Sequence, residues 1–469
     1  MKLYFEAERF LNEGQRNGSK GVQNSIFKQT NLVNSPKHIC ALVFSTLKYR
    51  EYIEAIIKKS KLRESMNKKV SDGLLMLLIH DLLFSSKGRI QLKKHPIKDA
   101  ILKHKTRLSA ELTKLKVKFG VKSAADLPNL IEDVAPVKWF RINLLKTSRK
   151  DFFEKHSFFA ELTEVETWKL ENTGYIYCDH FIPNLYAVHP RESLTSTKAY
   201  TEGDIIIQDR ASCFPAHILN GNAADLHCRV IDSCAAPGNK TTQLASYLSS
   251  RKDAVIHAFE KDAVRVKTLR TMCEKAIGDE KNLIQIIQAD FTNSDPHNFS
   301  DVTGIVVDPS CSGSGIFGRE ADGNKEEING DVDSERLAKL SWFQFKIVCH
   351  ALRFPNVRKV VYSTCSIHAQ ENEQVLSKVL QDPAVAGLGW KLASRDLVVP
   401  EWPRRGVSLH FSDEFTKEER GNMAASCIRA VPKEDGGIGF FAACFIRELA
   451  ENSLESPSTE HEDEWTGFD

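Results

Sequence analysis

Apolar residues change their spacing twice along this chain, and each change marks a new region. From Pro36 to about residue 125 they recur at helical intervals. Lys37-His-Ile-Cys-Ala-Leu-Val-Phe44 and Tyr49 to Lys59 carry the same period on either side of a short break. Ser71-Asp72 stands where a helix cap belongs, just before the apolar run Leu74 to Phe84. That run contains His80 and Asp81 and falls short of the ~20 residues a membrane span needs, so it predicts a buried core helix. Residues 126 to about 200 alternate instead: Trp139-Phe-Arg-Ile-Asn-Leu-Leu-Lys146, Tyr175-Ile-Tyr-Cys178 and Leu185-Tyr-Ala-Val188 read as strands, with a short helix at Asp151 to His156. From 201 to 448, short β-branched runs alternate with helical patterns. The strands are Arg229–Asp232, Ala254–Phe259, Leu283–Ile287, Ile305–Val307 and Lys359–Tyr362, and Asp262 to Ile277 and Ser334 to Leu352 are helical examples between them. Strand–helix alternation predicts a parallel, doubly wound α/β sheet. Gly437 to Ile446 predicts a late strand, placed as an antiparallel edge.

Composition narrows this picture. With 469 residues the chain has length for two or three domains, and 42% hydrophobic with 27% charged residues predicts a soluble globular protein, neither disordered nor membrane-spanning. Its 11 cysteines are odd in number and scattered, which predicts a reducing compartment without a disulfide framework. Met1 to Arg9 is too charged for a signal peptide. The net charge of +2 hides a split. Lys87 to Lys118 carries eleven Lys or Arg against Asp99 and Glu111, over a seam of Leu102, Leu108, Leu112 and Leu115. Such a run is either a solvated helix face or a phosphate-binding face with salt-sensitive affinity for nucleic acid. At the other end, the tail from Glu451 holds seven acids and no Lys or Arg and is expected to be disordered, as residues 449–469. The polar stretch Arg319 to Asp333 is expected to be a flexible surface loop. His156, His180 and His189 read as structural or surface residues, because their spacing suits no metal.

Chemistry concentrates at the strand ends, where open α/β sheets bind ligands. Gly304-Ile-Val-Val-Asp-Pro-Ser-Cys-Ser-Gly-Ser-Gly315 presents Asp308 and Cys311 beyond a buried strand, and Arg358-Lys-Val-Val-Tyr-Ser-Thr-Cys-Ser-Ile367 presents Cys365 beyond another. Neither thiol has Cys-x-x-Cys or metal-ligand spacing, so paired thiols at adjacent strand ends point to nucleophilic attack with assistance to the leaving step. The first strand–helix turn, Asp232-Ser-Cys-Ala-Ala-Pro-Gly-Asn-Lys-Thr241, lacks both G-x-G-x-x-G and the P-loop pattern, which argues against dinucleotide enzymes and NTPases. Its small Cys234, Ala235 and Ala236 would let a ligand approach the backbone, and Gly238 would free the turn. Glu260, at the end of the second strand, either holds a ribose diol or is an acid favoured at a helix start. Arg265 packs on the ligand or is solvated, and Asp290, ending the third strand, could contact an adenine amine.

Cys-Ala-Ala-Pro-Gly-Asn-Lys-Thr, Asp-Pro-Ser-Cys-Ser-Gly-Ser-Gly and Tyr-Ser-Thr-Cys-Ser together resemble the motifs of the Nop/Sun RNA (cytosine-5)-methyltransferases, over roughly residues 135 to 448. Asn239, where most of the family has Gly, resembles the branch that methylates a cytosine of large-subunit ribosomal RNA, as does the helical N-terminal region. The resemblance implies a Rossmann-like S-adenosylmethionine-dependent methyltransferase fold in residues 201–448, behind a helical, basic RNA-binding domain (1–125) and a small α+β domain (126–200). Cys234, Ala235, Ala236, Pro237, Gly238, Asn239 and Lys240 would cradle S-adenosylmethionine, Glu260 would hold its ribose, and Arg265, Asp290 and Asp308 would complete the pocket. Glu260 stands where the commoner residue is Asp, a change the longer carboxylate should tolerate. Cys365 would be the nucleophile, Cys311 would help release the product, and Asp308 would face the charge developing at N3 of the cytosine. The implied partners are large-subunit ribosomal RNA and pre-ribosomal particle proteins, in the nucleus and nucleolus, with no membrane and no metal. A transfer-RNA methyltransferase and a non-catalytic ribosome-assembly factor are the rival readings. A binding module needs neither thiol, which argues against the second.

Overall fold

The computed structural model describes residues 2–11, 25–27, 29, 31–66, 70–85, 87–121, 123–124, 127, 135–221, 227–277, 283–317 and 330–448. The expected acidic tail and most of the expected loop at 319–333 lie outside these residues. Helices α1 (Pro36–Lys48), α2 (Arg50–Lys59), α3 (Asp72–Leu83), α4 (Pro96–Leu102) and α5 (Lys105–Lys118) build the N-terminal region. The Ser71 hydroxyl caps α3 by accepting from the Leu74 N–H. Helix α3 is buried on nearly every side, so its two polar residues must be satisfied within the core. The Tyr4 hydroxyl and the Gln91 amide donate to Asp81, and His80 Nε2 lies 2.7 Å from Ser45 Oγ, while His80 Nδ1 makes no hydrogen bond and lies 3.4 Å from Asp81 Oδ1. In the basic run, Leu108 and Leu112 are buried while Leu102 faces solvent, because α4 ends there and α5 restarts the face three residues later. Lys93, Lys94, Lys103, Lys105, Arg107, Lys114 and Lys118 remain exposed.

The small unit pairs β1 (Lys138–Ile142), β2 (Thr163–Val165), β3 (Tyr175–Cys178), β4 (Leu185–Val188) and β5 (Ile205–Ile207) in the order β2-β3-β4-β1-β5. Helix α6 (Arg149–Lys155) covers this sheet, and α7 (Lys198–Glu202) leads into β5. Strand β5 therefore falls beyond the boundary at 200 read from the sequence; its three isoleucines are too short a run to show which sheet they join. Hydrogen bonds from Arg141 and Asn143 help to seat this unit on the next. Arg141 Nη2 donates to the Asn239 carbonyl (3.1 Å) and to Thr242 Oγ1 (3.2 Å), and Asn143 Nδ2 donates to the Ala276 carbonyl (2.8 Å).

The large sheet runs β11-β13-β10-β9-β6-β7-β8, with β12 paired to β13. Its members are β6 (Arg229–Asp232), β7 (Val255–Phe259), β8 (Ile284–Ile287), β9 (Gly304–Val307), β10 (Lys359–Thr364), β11 (Lys391–Leu392), β12 (Cys427–Ala430) and β13 (Phe440–Ile446). Between them lie α8 (Arg210–Asn220), which precedes β6, α9 (Asn239–Leu248), α10 (Ala263–Ile277), α11 (Gly330–Ala351) and α12 (Glu373–Gln381). Strands β6 to β10 are parallel; β9 and β10, at the centre, are buried on both faces, while the edge strand β8 leaves Gln285 exposed. Val306 and Val361 enter one core, while Ile305, Val307, Val360 and Tyr362 enter the other. Each such side chain contributes about 1.5–3 kcal/mol on burial. Strand β13 is antiparallel to β10, as expected, but it is not the edge: β11 and β12 pair beyond it. Two and four residues long, these were too short to register as strands.

Candidate active site

From β6 the chain steps outward through β7 and β8, then returns to lay β9 on the other side of β6. The order reverses between β6 and β9, so a crevice opens at their carboxyl ends. Every chemistry-bearing turn named above leaves the sheet at or beside this point.

On the β6–β8 side lies a cavity of about 200 Å³ lined by Ser233, Cys234, Glu260, Lys261, Arg265, Asp290, Phe291, Ser310, Phe343 and Ile347, among others. Glu260 is buried; its carboxylate accepts from the Asp262 N–H (3.0 Å) and pairs with Arg265 Nη1 (3.2 Å). Arg265 Nη2 also donates to the Ala236 carbonyl (2.7 Å), tying the first turn to the second. Burial raises the Asp290 carboxyl, but hydrogen bonds from the Thr292 hydroxyl and N–H outweigh it and hold the group below the usual carboxylate range. Burial pushes the Cys234 thiol up to about 12, so it stays protonated. Gly238 sits at φ +116°, and a Cβ there would press on Met272 and Leu269 of α10 at 3.1–3.2 Å, so the turn requires glycine. Ala235 and Ala236 pack onto α10, Pro237 is exposed, and Asn239 opens α9. Two acids at successive strand ends, an aromatic wall from Phe343 and a glycine-requiring turn fit a nucleoside-type ligand such as S-adenosylmethionine. Phe343 and Ile347 were not found from the sequence, because they come from α11, more than a hundred residues after the first turn.

On the β9–β10 side the parallel register pairs Tyr362 with Val307, and the chains leaving these strands bring Cys311 Sγ and Cys365 Sγ to 2.9 Å. Neither forms a disulfide. Contact with Cys365 and then burial raise the Cys311 thiol far above its ordinary value, so Cys311 keeps its proton. Asp308 Oδ2 accepts from Lys240 Nζ (2.6 Å) and Oδ1 from Ser363 Oγ (2.6 Å), which closes the crevice across the switch point. Burial alone would lower the Lys240 ammonium; Asp308 outweighs it, with Asp232 and Cys365 adding, and holds it above its ordinary value. The Lys240 side chain, expected in the cofactor cradle, therefore reaches to the thiol side instead.

Two further residues fix the thiols. The fully buried Glu371 accepts from the Ser312 N–H (2.8 Å), the Ser312 hydroxyl (2.5 Å) and Gln344 Nε2 (2.9 Å), and so clamps the loop carrying Cys311. Asn372 accepts from Thr364 Oγ1 (2.5 Å) and donates to the Ser366 carbonyl (2.9 Å), on either side of Cys365. One dipeptide thus holds both thiol-bearing turns. The sequence reading does not single it out; its place within seven residues of Cys365 is the available signal. Away from the crevice, His156, Glu202 and Asp204 bring metal-ligand atom types together, but Lys155 Nζ bridges Glu202 (3.0 Å) and Asp204 (2.7 Å), which makes the group an ion-pair cluster.

A doubly wound sheet with this crevice is the fold of S-adenosylmethionine-dependent methyltransferases. A solved methyltransferase homolog protein from Pyrococcus horikoshii superposes with a TM-score of 0.51 at 19% identity, over 84% of this chain and 99% of that one. Residues 216–446 match the family model of 16S rRNA methyltransferase RsmB/F, and residues 37–127 match that of the NOL1/NOP2/Sun domain family member 5 N-terminal domain. The 25S rRNA (cytosine-C(5))-methyltransferase of Schizosaccharomyces pombe is 41% identical over 87% of this chain and 84% of its own length. The 28S rRNA (cytosine-C(5))-methyltransferase of Mus musculus is 33% identical over 88% and 84%. The chain belongs to the NOL1/NOP2/Sun family of RNA cytosine-C5-methyltransferases, in the branch of member 5.

Proposed function

We propose that this enzyme forms 5-methylcytosine in large-subunit ribosomal RNA by covalent catalysis, with Cys365 as the nucleophile. The observation that carries this reading is the thiol pair at the switch point, beside the Asp308–Lys240 ion pair and next to the cofactor-sized cavity. Cytosine C5 is a weak nucleophile, and addition of the Cys365 thiolate to C6 moves electron density onto it. S-adenosylmethionine supplies an electrophilic methyl group. The negative charge that addition places at N3 is quenched by a proton from the Lys240 ammonium, relayed through Asp308, whose carboxylate then accepts from the new N3–H. Once the methyl is transferred, a solvent water or hydroxide takes the C5 proton, the C–H pair forms the C5–C6 double bond, and Cys365 leaves C6 as a thiolate, with the Cys311 thiol, 2.9 Å away, donating to the departing sulfur. Glu260 holds the ribose of the cofactor, with Cys234 to Asn239 as the cradle around its amino-acid end and Arg265 and Asp290 closing the pocket. The target base must leave its stack to reach the thiols. The pre-ribosomal particle is the natural context of such a substrate, and the nucleolus its place. Transfer of labelled methyl to C5 in purified large-subunit RNA tests the reading; label entering transfer RNA instead would favour the rival substrate.

The exposed lysines before, between and within α4 and α5 supply part of the RNA affinity in this reading. Reversing Lys93, Lys94, Lys103 and Lys105 to Glu is expected to weaken RNA binding and to flatten its salt dependence by about 0.9 for each phosphate no longer neutralised. S-adenosylmethionine affinity, measured by calorimetry, stays unchanged. Unaltered RNA affinity in that variant would make the run a solvated face only.

A further inference from the structure

A second cavity, of about 460 Å³, opens between the small sheet and α10 and shares no lining residue with the Glu260 cavity. Strand β5 forms one wall. It is an edge strand, and its pairing with β1 uses the carbonyl of Asp204 and the N–H of Gln208. By the two-residue alternation of a ladder, the N–H and C=O groups of Ile205 and Ile207 point away from β1, toward the cleft. The opposite wall is α10, with Lys267, Thr268, Thr271, Met272, Lys275 and Ala276. At one end Lys275 Nζ sits 3.7 Å from the centre of the Tyr200 ring. Burial and the neighbouring Lys146 ammonium both lower the Lys275 ammonium, so two cations share this end.

We propose that this cleft seats an unpaired nucleotide of the ribosomal RNA substrate, away from the target cytosine, with its base in the apolar slot and its phosphate on Lys267 and Lys275. The inference rests on the reading that RNA is the substrate. A nucleobase has apolar faces and a hydrogen-bonding edge. The slot answers with isoleucine and methionine faces, an aromatic ring, and a row of backbone donors and acceptors. The volume falls in the range of small-ligand sites. Unpaired RNA is read in this manner, by stacking and by polar edges. An extended peptide could also pair with an open strand edge, but the lysines at this one favour a polyanion.

The test uses the full chain. Large-subunit RNA substituted with 4-thiouridine is crosslinked to the protein, and crosslinked peptides are identified by mass spectrometry. The expected peptides span residues 198–207 or 263–277. In parallel, the double variant Lys267→Glu, Lys275→Glu is expected to lose about tenfold in RNA affinity and about 0.7 of salt slope, for the one phosphate no longer neutralised. Tyr200→Ala is expected to lose about fivefold or more through stacking. Calorimetry with S-adenosylmethionine reports whether each variant is folded, since none of the three residues lines the Glu260 cavity. Wild-type RNA affinity and slope in folded variants, with no crosslinks at these peptides, would reduce the cleft to a gap between units. If the wild-type chain itself failed to bind RNA, the functional reading beneath the inference would fall with it.

Discussion

The Cys311→Ala enzyme accumulates as a covalent protein–RNA species, whereas Cys365→Ala and the double variant form none. This is the largest expected effect, because the two thiols, 2.9 Å apart, are assigned opposite halves of one reaction. Without Cys365 no bond to C6 forms, C5 remains unactivated, and methylation falls to background. Without Cys311, attack and methyl transfer proceed but elimination slows, leaving the enzyme attached through Cys365. Denaturing gels of enzyme, S-adenosylmethionine and RNA show the adduct as a slow-migrating band. An adduct with Cys365→Ala would reverse the roles, and the loop beyond β9 would carry the nucleophile.

The second large effect is expected for Asp308→Asn. Asp308 bridges Lys240 and Ser363 across the switch point, and its side chain is partly exposed to the crevice. An amide keeps the volume and a hydrogen bond to Ser363 but loses the ion pair and the carboxyl chemistry at N3. Removing a preorganised group that faces developing charge costs about 10²–10³ in turnover. S-adenosylmethionine affinity should hold within a small factor, because Asp308 lies outside the lining of the Glu260 cavity. Single-turnover methyl transfer at saturating cofactor measures this directly; a wild-type rate would remove Asp308 from the chemistry.

The elements behind these expectations differ in how legible they were. Strands β9 and β10 announced themselves, since burial on both faces leaves only apolar residues in Ile305–Val307 and Val360–Val361, and the polar residues begin where the sheet ends. That the two strands are neighbours was an assumption from parallel topology, and the sheet order supplies it. Lys240 was legible both as part of the cofactor cradle and as positive charge for Cys365, because a side chain on the first turn can point to either side of the switch point; the position of Asp308 draws it to the thiol side. Phe343, Ile347, Glu371 and Asn372 escaped for a related reason. Their helix and turn patterns are ordinary, and their roles arise from packing against loops far away in the chain. Strands β11 and β12 escaped because two to four residues carry no period.

The central claim, that this chain writes 5-methylcytosine on large-subunit ribosomal RNA through Cys365, is tested most directly by mapping that modification at base resolution in cells lacking the protein. The account predicts a single large-subunit cytosine that loses its methyl group, regains it with the wild-type chain, and does not regain it with Cys365→Ala expressed at the same level. Restoration by Cys365→Ala, or an unchanged ribosomal RNA map with a loss in transfer RNA, would contradict it.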